Sequence, residues 1–182
     1  MLEQRGELKL DKPLSSDFQL ILKHPAEFTA LADLLKSKFP LFAVVRDPLA
    51  VLAAWQTVDM PVGRGRMPMA EAFCPELAAR LMEAGDPLAR QVILIEWQLR
   101  TYLSLPPGRT LRYEDVVAAP DVRLAALAPG RQGPLGAMEP YDPLTRYPAV
   151  DFRALATALR PLGELIQRFY PDFERAWAQR LP

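Results

Sequence analysis

Cysteine and histidine are nearly missing from this chain of 182 residues: each occurs once, as Cys74 and His24. A lone cysteine forms no internal disulfide, and neither residue has the companions that an iron–sulfur, zinc or multi-histidine site needs, so no metal is expected. Net charge is missing as well, since 22 Lys and Arg balance 22 Asp and Glu. A general nucleic-acid binder needs a basic surplus to meet phosphates, so nucleic acid is not an expected partner. Long apolar runs are the third absence. No stretch approaches the ~20 apolar residues of a membrane span, and the opening MLEQRGELKLDKPLSSD has no apolar signal-peptide core. The expectation is a cytoplasmic protein, in a reducing compartment, with no membrane partner.

What is present fits one globular domain over residues 1–182, with 50% hydrophobic and 24% charged residues. Phe18 to Leu22 (FQLIL) and Leu41 to Val45 (LFAVV) are short apolar runs of the kind covered on both faces in a parallel sheet. Phe28, Leu31, Leu34 and Leu35 recur between them at helical spacing, enough chain for a right-handed crossover. Arg109 to Tyr113 (RTLRY) is a third candidate strand, entered through the turn at Pro106, Pro107 and Gly108. Before it, Asp86 and Pro87 open a long helix striped by Leu88, Val92, Ile95, Leu99 and Tyr102. Residues 1–17 read as an N-terminal arm, 130–148 as a long loop, and 151–182 as C-terminal helices broken near Pro161. Strands alternating with helices predict an α/β fold of three layers, a parallel sheet flanked by helices.

Ligands collect beyond the carboxyl ends of such strands. Lys23 and His24 follow the first, Arg46 the second, and Tyr113, Glu114 and Asp115 the third. Arg46 precedes Asp47-Pro48, a helix start whose free N–H groups and partial positive charge suit an anion, with the guanidinium fork beside it. The same arginine has an ordinary use, pairing with Asp47 or another acid. His24, held out of mid-helix by Pro25, is either an exposed turn residue or a base for an attacking hydroxyl. Tyr113 either packs over the sheet edge or presents its ring to a base. Glu114 and Asp115 are expected to cap the next helix.

VVRDPLAVLAAW resembles the 3′-phosphate-binding segment of sulfotransferases that use 3′-phosphoadenosine 5′-phosphosulfate, where a strand ends in Arg-Asn/Asp-Pro. LRYEDVVAAP is similar to the family's Tyr-Glu-Asp segment, and LKHP to its Lys-x-His-x-Pro element with one residue fewer. The matches span Phe18 to Pro120, a little over half the chain. The resemblance implies a P-loop/sulfotransferase-like fold and a co-substrate, 3′-phosphoadenosine 5′-phosphosulfate. It also implies roles: Arg46 on the 3′-phosphate, Tyr113 on the adenine, His24 as general base, and Lys23 steadying charge on the sulfuryl group. The implied reaction is in-line sulfuryl transfer to a hydroxyl or amine of a small-molecule or glycan acceptor, needing no metal.

Two departures qualify that likeness. Where the family has a serine sharing the 3′-phosphate, this chain has Ala54, a loss of roughly 1.5–3 kcal/mol or one to two decades in affinity. More seriously, the Gly-rich loop that holds the 5′-phosphosulfate has no counterpart: nothing before Phe18 carries the motif, and Arg131-Gln132-Gly133 follows Tyr113 too closely to serve. The expectation is therefore a chain truncated at its N-terminus, through a misplaced start or through degeneration, and inactive if the loop is not supplied. The alternative function is a non-catalytic nucleotide-binding or interaction module. An open apolar sheet edge should result, covered by the N-terminal arm or by a second copy in a homodimer. The acceptor pocket is expected from residues 59–70 and 130–148.

Overall fold

Asp86 and Pro87 open the longest helix of the computed structural model, which describes residues 18–127, 133–139 and 142–181 together with Lys9, Asp11, Pro13 and Ser16. The Asp86 carboxylate accepts from the N–H groups of Leu88 and Ala89 at 3.0 and 3.1 Å, and the helix runs over Pro87–Leu103. In chain order the elements are α1 (Pro25–Ala30), α2 (Ala32–Leu35), β1 (Ala43–Val45), α3 (Pro48–Gln56), α4 (Pro68–Phe73), α5 (Pro75–Glu83) and α6 (Pro87–Leu103). Then follow β2 (Thr110–Arg112), α7 (Tyr113–Ala118), α8 (Pro120–Arg123), α9 (Pro143–Arg146), α10 (Phe152–Leu159), α11 (Gly163–Gln167) and α12 (Phe173–Arg180). Turns of 3₁₀ helix lie at Pro61–Arg64 and Arg160–Leu162. The second marks the break expected at Pro161, whose ring cannot continue an α-helix unperturbed.

The protein is mixed α/β, with a parallel pair of strands among the described residues. Ala43 pairs with Thr110, Val44 with Leu111 and Val45 with Arg112. Two of the three expected strands thus form, each shorter than its apolar run. The first does not: residues 18–22 have no regular structure, and Phe18, Leu20, Ile21 and Leu22 are exposed. A continuous apolar run satisfies the pattern for a buried strand, but pairing needs a neighbour, and none is there among the described residues. β1 also departs from the two-covered-face expectation. Ala43 and Val45 are buried while Val44 is 49% exposed, so β1 has one covered face and one open one.

Helix α6 divides two apolar clusters. Its stripe of Leu88, Val92, Ile95, Leu99 and Tyr102 packs as expected against α3 and the C-terminal helices, where Phe152, Leu155, Leu159 and Ile166 are buried. Its other face places Leu94 among Met67, Ala70, Leu77 and Leu81 of the α4–α5 hairpin. Gly65 seats the 3₁₀ turn beneath the start of α6. It has φ +67°, and a Cβ there would stand 2.3 Å from the Cβ of Arg90 and 2.7 Å from the Pro87 carbonyl oxygen. No other residue type meets both demands. The stripe expected for residues 28–35 is interrupted: the helix breaks at Leu31, Thr29 and Ala32 are the buried positions, and Leu34 is 53% exposed. No helix of the described residues is long and apolar enough to cross a membrane.

Candidate functional site

The parallel register decides what meets at the carboxyl end of the sheet. Because Val45 lies opposite Arg112, the residues that follow, Arg46 and Tyr113, emerge side by side. The Arg46 guanidinium sits over the Tyr113 ring, 5.1 Å from its centroid, within reach of a cation–π contact. Arg46 also forms the rim of a cleft of about 270 Å³. Val44, Val51, Trp55, Ile95 and Leu99 make its apolar wall, and Gln98 and Tyr102 are its polar members besides Arg46. Val62 and Met67 line it too, so the 59–70 segment reaches the cleft as expected. Of the other expected pocket segment, residues 130–132, 140 and 141 lie outside the described residues, and with them Arg131 and Gln132.

Pro25 also lines the cleft and brings the start of α1 to the same hollow as Arg46. His24, next to it, has extended backbone and caps α1: its Nδ1 accepts from the Glu27 N–H at 3.3 Å. Its ring tilts against Phe28 at 5.9 Å, and Nδ1 lies 3.6 Å from a carboxylate oxygen of Glu27. A neutral imidazole that accepts at Nδ1 carries its proton on Nε2. Proton uptake by His24 therefore uses the capping lone pair and turns the new N–H toward Glu27. Lys23 is exposed in the segment ahead of the helix. The structure thus joins Arg46 to Tyr113 directly and sets His24 beside the cleft wall, with Lys23 on the exposed approach.

The start of α3 is more occupied than its sequence implies. Asp47 does cap it, accepting from the Leu49 N–H at 3.0 Å, and Pro48 fills the first turn. The Asp47 N–H, however, donates to Glu114 at 3.1 Å. The Asp47 and Leu49 N–H groups are thus already taken by carboxylates, and Arg46 is the cation that directly follows β1. Glu114 is consequently not the helix cap expected of it. It lies in the first turn of α7 and ties that turn to β1 and α3.

Sequence reasoning missed the partners that complete this brace. The Tyr170 hydroxyl donates to Glu114 at 2.8 Å and lies 3.2 Å from the Val45 carbonyl oxygen. The Trp177 indole N–H donates to Asp47 at 3.1 Å. Arg112 stacks on the Tyr170 ring at 4.8 Å, and its buried Nε has no hydrogen-bond partner among the described residues. Burial, then the charge and hydrogen bond of Glu114, then the charge of Asp47 push the Tyr170 phenol far above its ordinary range, against the opposing pull of Arg112. Tyr170 is therefore a fixed donor. No local motif announces these contacts, because they join residues far apart in the chain.

No family model, curated protein or solved structure matches the chain.

Proposed function

We propose that this chain is a sulfotransferase-like module that binds a 3′-phosphorylated adenine nucleotide at the carboxyl ends of β1 and β2. The observation that carries the reading is the contact of Arg46, which lines the cleft, with the Tyr113 ring, 5.1 Å from guanidinium carbon to ring centroid. Arg46 supplies the planar fork that a phosphate accepts bidentately, and the Tyr113 ring supplies a face for adenine. The preferred ligands are 3′-phosphoadenosine 5′-phosphosulfate and its product, adenosine 3′,5′-bisphosphate. The co-substrate's sulfuryl group then goes to a hydroxyl or amine of a small-molecule or glycan acceptor, with His24 taking the proton and Lys23 balancing charge on the transferred group. No metal takes part in this scheme.

A second reading, binding without turnover, is favoured by His24 itself, whose Nδ1 lone pair is already spent on capping α1. Calorimetry with adenosine 3′,5′-bisphosphate tests the shared part of both readings. Saturable heat is expected, weakened at least tenfold in Arg46→Ala; absence of heat, or heat indifferent to that substitution, removes the nucleotide site. Radiolabelled sulfuryl transfer to a panel of phenols, amines and glycans separates the two. Turnover lost in His24→Ala with nucleotide binding retained supports the base, and binding without turnover in the parent chain supports the second reading.

A further inference from the structure

The segment 18–22 puts four large apolar side chains in water in almost unbroken succession: Phe18, Leu20, Ile21 and Leu22 are 51, 67, 62 and 65% exposed. Soluble chains rarely leave such a run open, and a contiguous apolar patch marks an interaction site. None of the backbone N–H or C=O groups of residues 18–22 is bonded among the described residues. Composition suits a strand; only the partner strand is missing.

A matching vacancy lies close by. The Ala43 N–H bonds the Arg109 carbonyl, so in the parallel ladder Ala43 and Val45 turn their polar groups toward β2 and Val44 turns its own away. That outer edge has no strand beside it among the described residues. Val44 also exposes its side chain on a face of the strand, where it lines the apolar cleft. Pro25, which also lines the cleft, is only three residues beyond Leu22, which brings the end of the apolar segment within about 10 Å of the cleft.

We propose that the chain forms a two-fold dimer in which Phe18–Leu22 of each copy adds as a strand along the Val44 edge of the other. The commitment to a second copy rests on self-complementarity and on area. Each molecule carries both an unpaired apolar strand and an unpaired apolar edge, so a reciprocal exchange satisfies both at once and closes without an open end. Covering the four side chains of each copy, with the surface that receives them, removes on the order of 1,600 Å² from water, the size of a standard stable interface. Strand addition covers the side edge of β1 and leaves Arg46 and Tyr113 open at its carboxyl end, so the dimer does not depend on the nucleotide reading.

Sedimentation velocity of the full chain between 1 and 100 µM is the test. A dimer is expected, with Leu20→Lys/Ile21→Lys reverting to monomer at every concentration while its far-UV circular dichroism stays that of the parent. A parent chain that is monomeric at 100 µM overturns the proposal, and so does a double variant that remains dimeric. The pairing is read separately in a Cys74→Ser background by mixing chains that carry Leu20→Cys with chains that carry Val44→Cys. Oxidation should link unlike chains in preference to like ones; links between like chains alone overturn the arm-to-edge arrangement.

Discussion

The two flanks of the β1 strand are built to opposite standards. On one, Val45 and Asp47 are tied to Glu114, 67 residues beyond Asp47, and to Tyr170 and Trp177, more than a hundred residues later. On the other, Val44 faces a cleft and residues 18–22 lie exposed with no backbone bond among the described residues. The braced flank holds the strand end where Arg46 and Tyr113 meet; the open flank holds nothing by itself. Bonds on one side thus fix the strand end, while the other side of β1 is left open among the described residues.

If that contrast is real, substitutions on the two flanks should differ by an order of magnitude in stability. Trp177→Ala is expected to cost most, about 3–5 kcal/mol, because it empties an indole site in the core and removes the indole donor to Asp47. Ile21→Ser, on the open flank, should stay within about 0.5 kcal/mol when unfolding is followed in urea at a concentration that keeps the chain monomeric. Equal losses would erase the distinction. Glu114→Ala should come next, at about 2–3 kcal/mol, since it removes the acceptor of the Asp47 N–H and of the Tyr170 hydroxyl. The same variant should loosen the β1–α3 turn and weaken adenosine 3′,5′-bisphosphate binding without touching Arg46. Loss of stability with binding intact would separate the brace from the site.

Local signals carry the helix starts and two of the three strands, and fail at the first strand. Asp86-Pro87 and Asp47-Pro48 were legible because a cap and a first-turn proline act within four residues. The apolar stripe of α6 is legible because packing against any neighbour preserves a helical period. Phe18–Leu22 misled for the complementary reason: its apolar pattern reports what the segment could bury, whereas pairing depends on which chain lies alongside. At the site, Arg46 and Tyr113 were readable from strand ends, yet Glu114 was read as a cap although its partners are Asp47 and Tyr170. Contacts spanning 56 and 67 residues leave no spacing to recognise. Nothing in the run FYPDFERAW distinguishes Tyr170 and Trp177 from ordinary core aromatics.

Alkali gives the finest probe of the brace. The Tyr170 phenol is held far above its ordinary range by burial and by the neighbouring charges of Glu114 and Asp47, and Tyr102 is raised by burial despite its Thr29 partner. An unfolded chain releases these protons near pH 10, while the folded chain keeps them. Folding stability from this source is therefore complete below about pH 10 and falls as pH rises above it, by about 1.4 kcal/mol per pH unit for each retained proton. Tyr170→Phe removes one such proton and should shallow the alkaline decline by about that slope, leaving the Tyr102 contribution in place. Urea unfolding from pH 9 to 11 measures both slopes. Parallel declines for parent and variant would mean that Tyr170 ionises normally, and that the hydroxyl does not stand locked between Glu114 and the Val45 carbonyl.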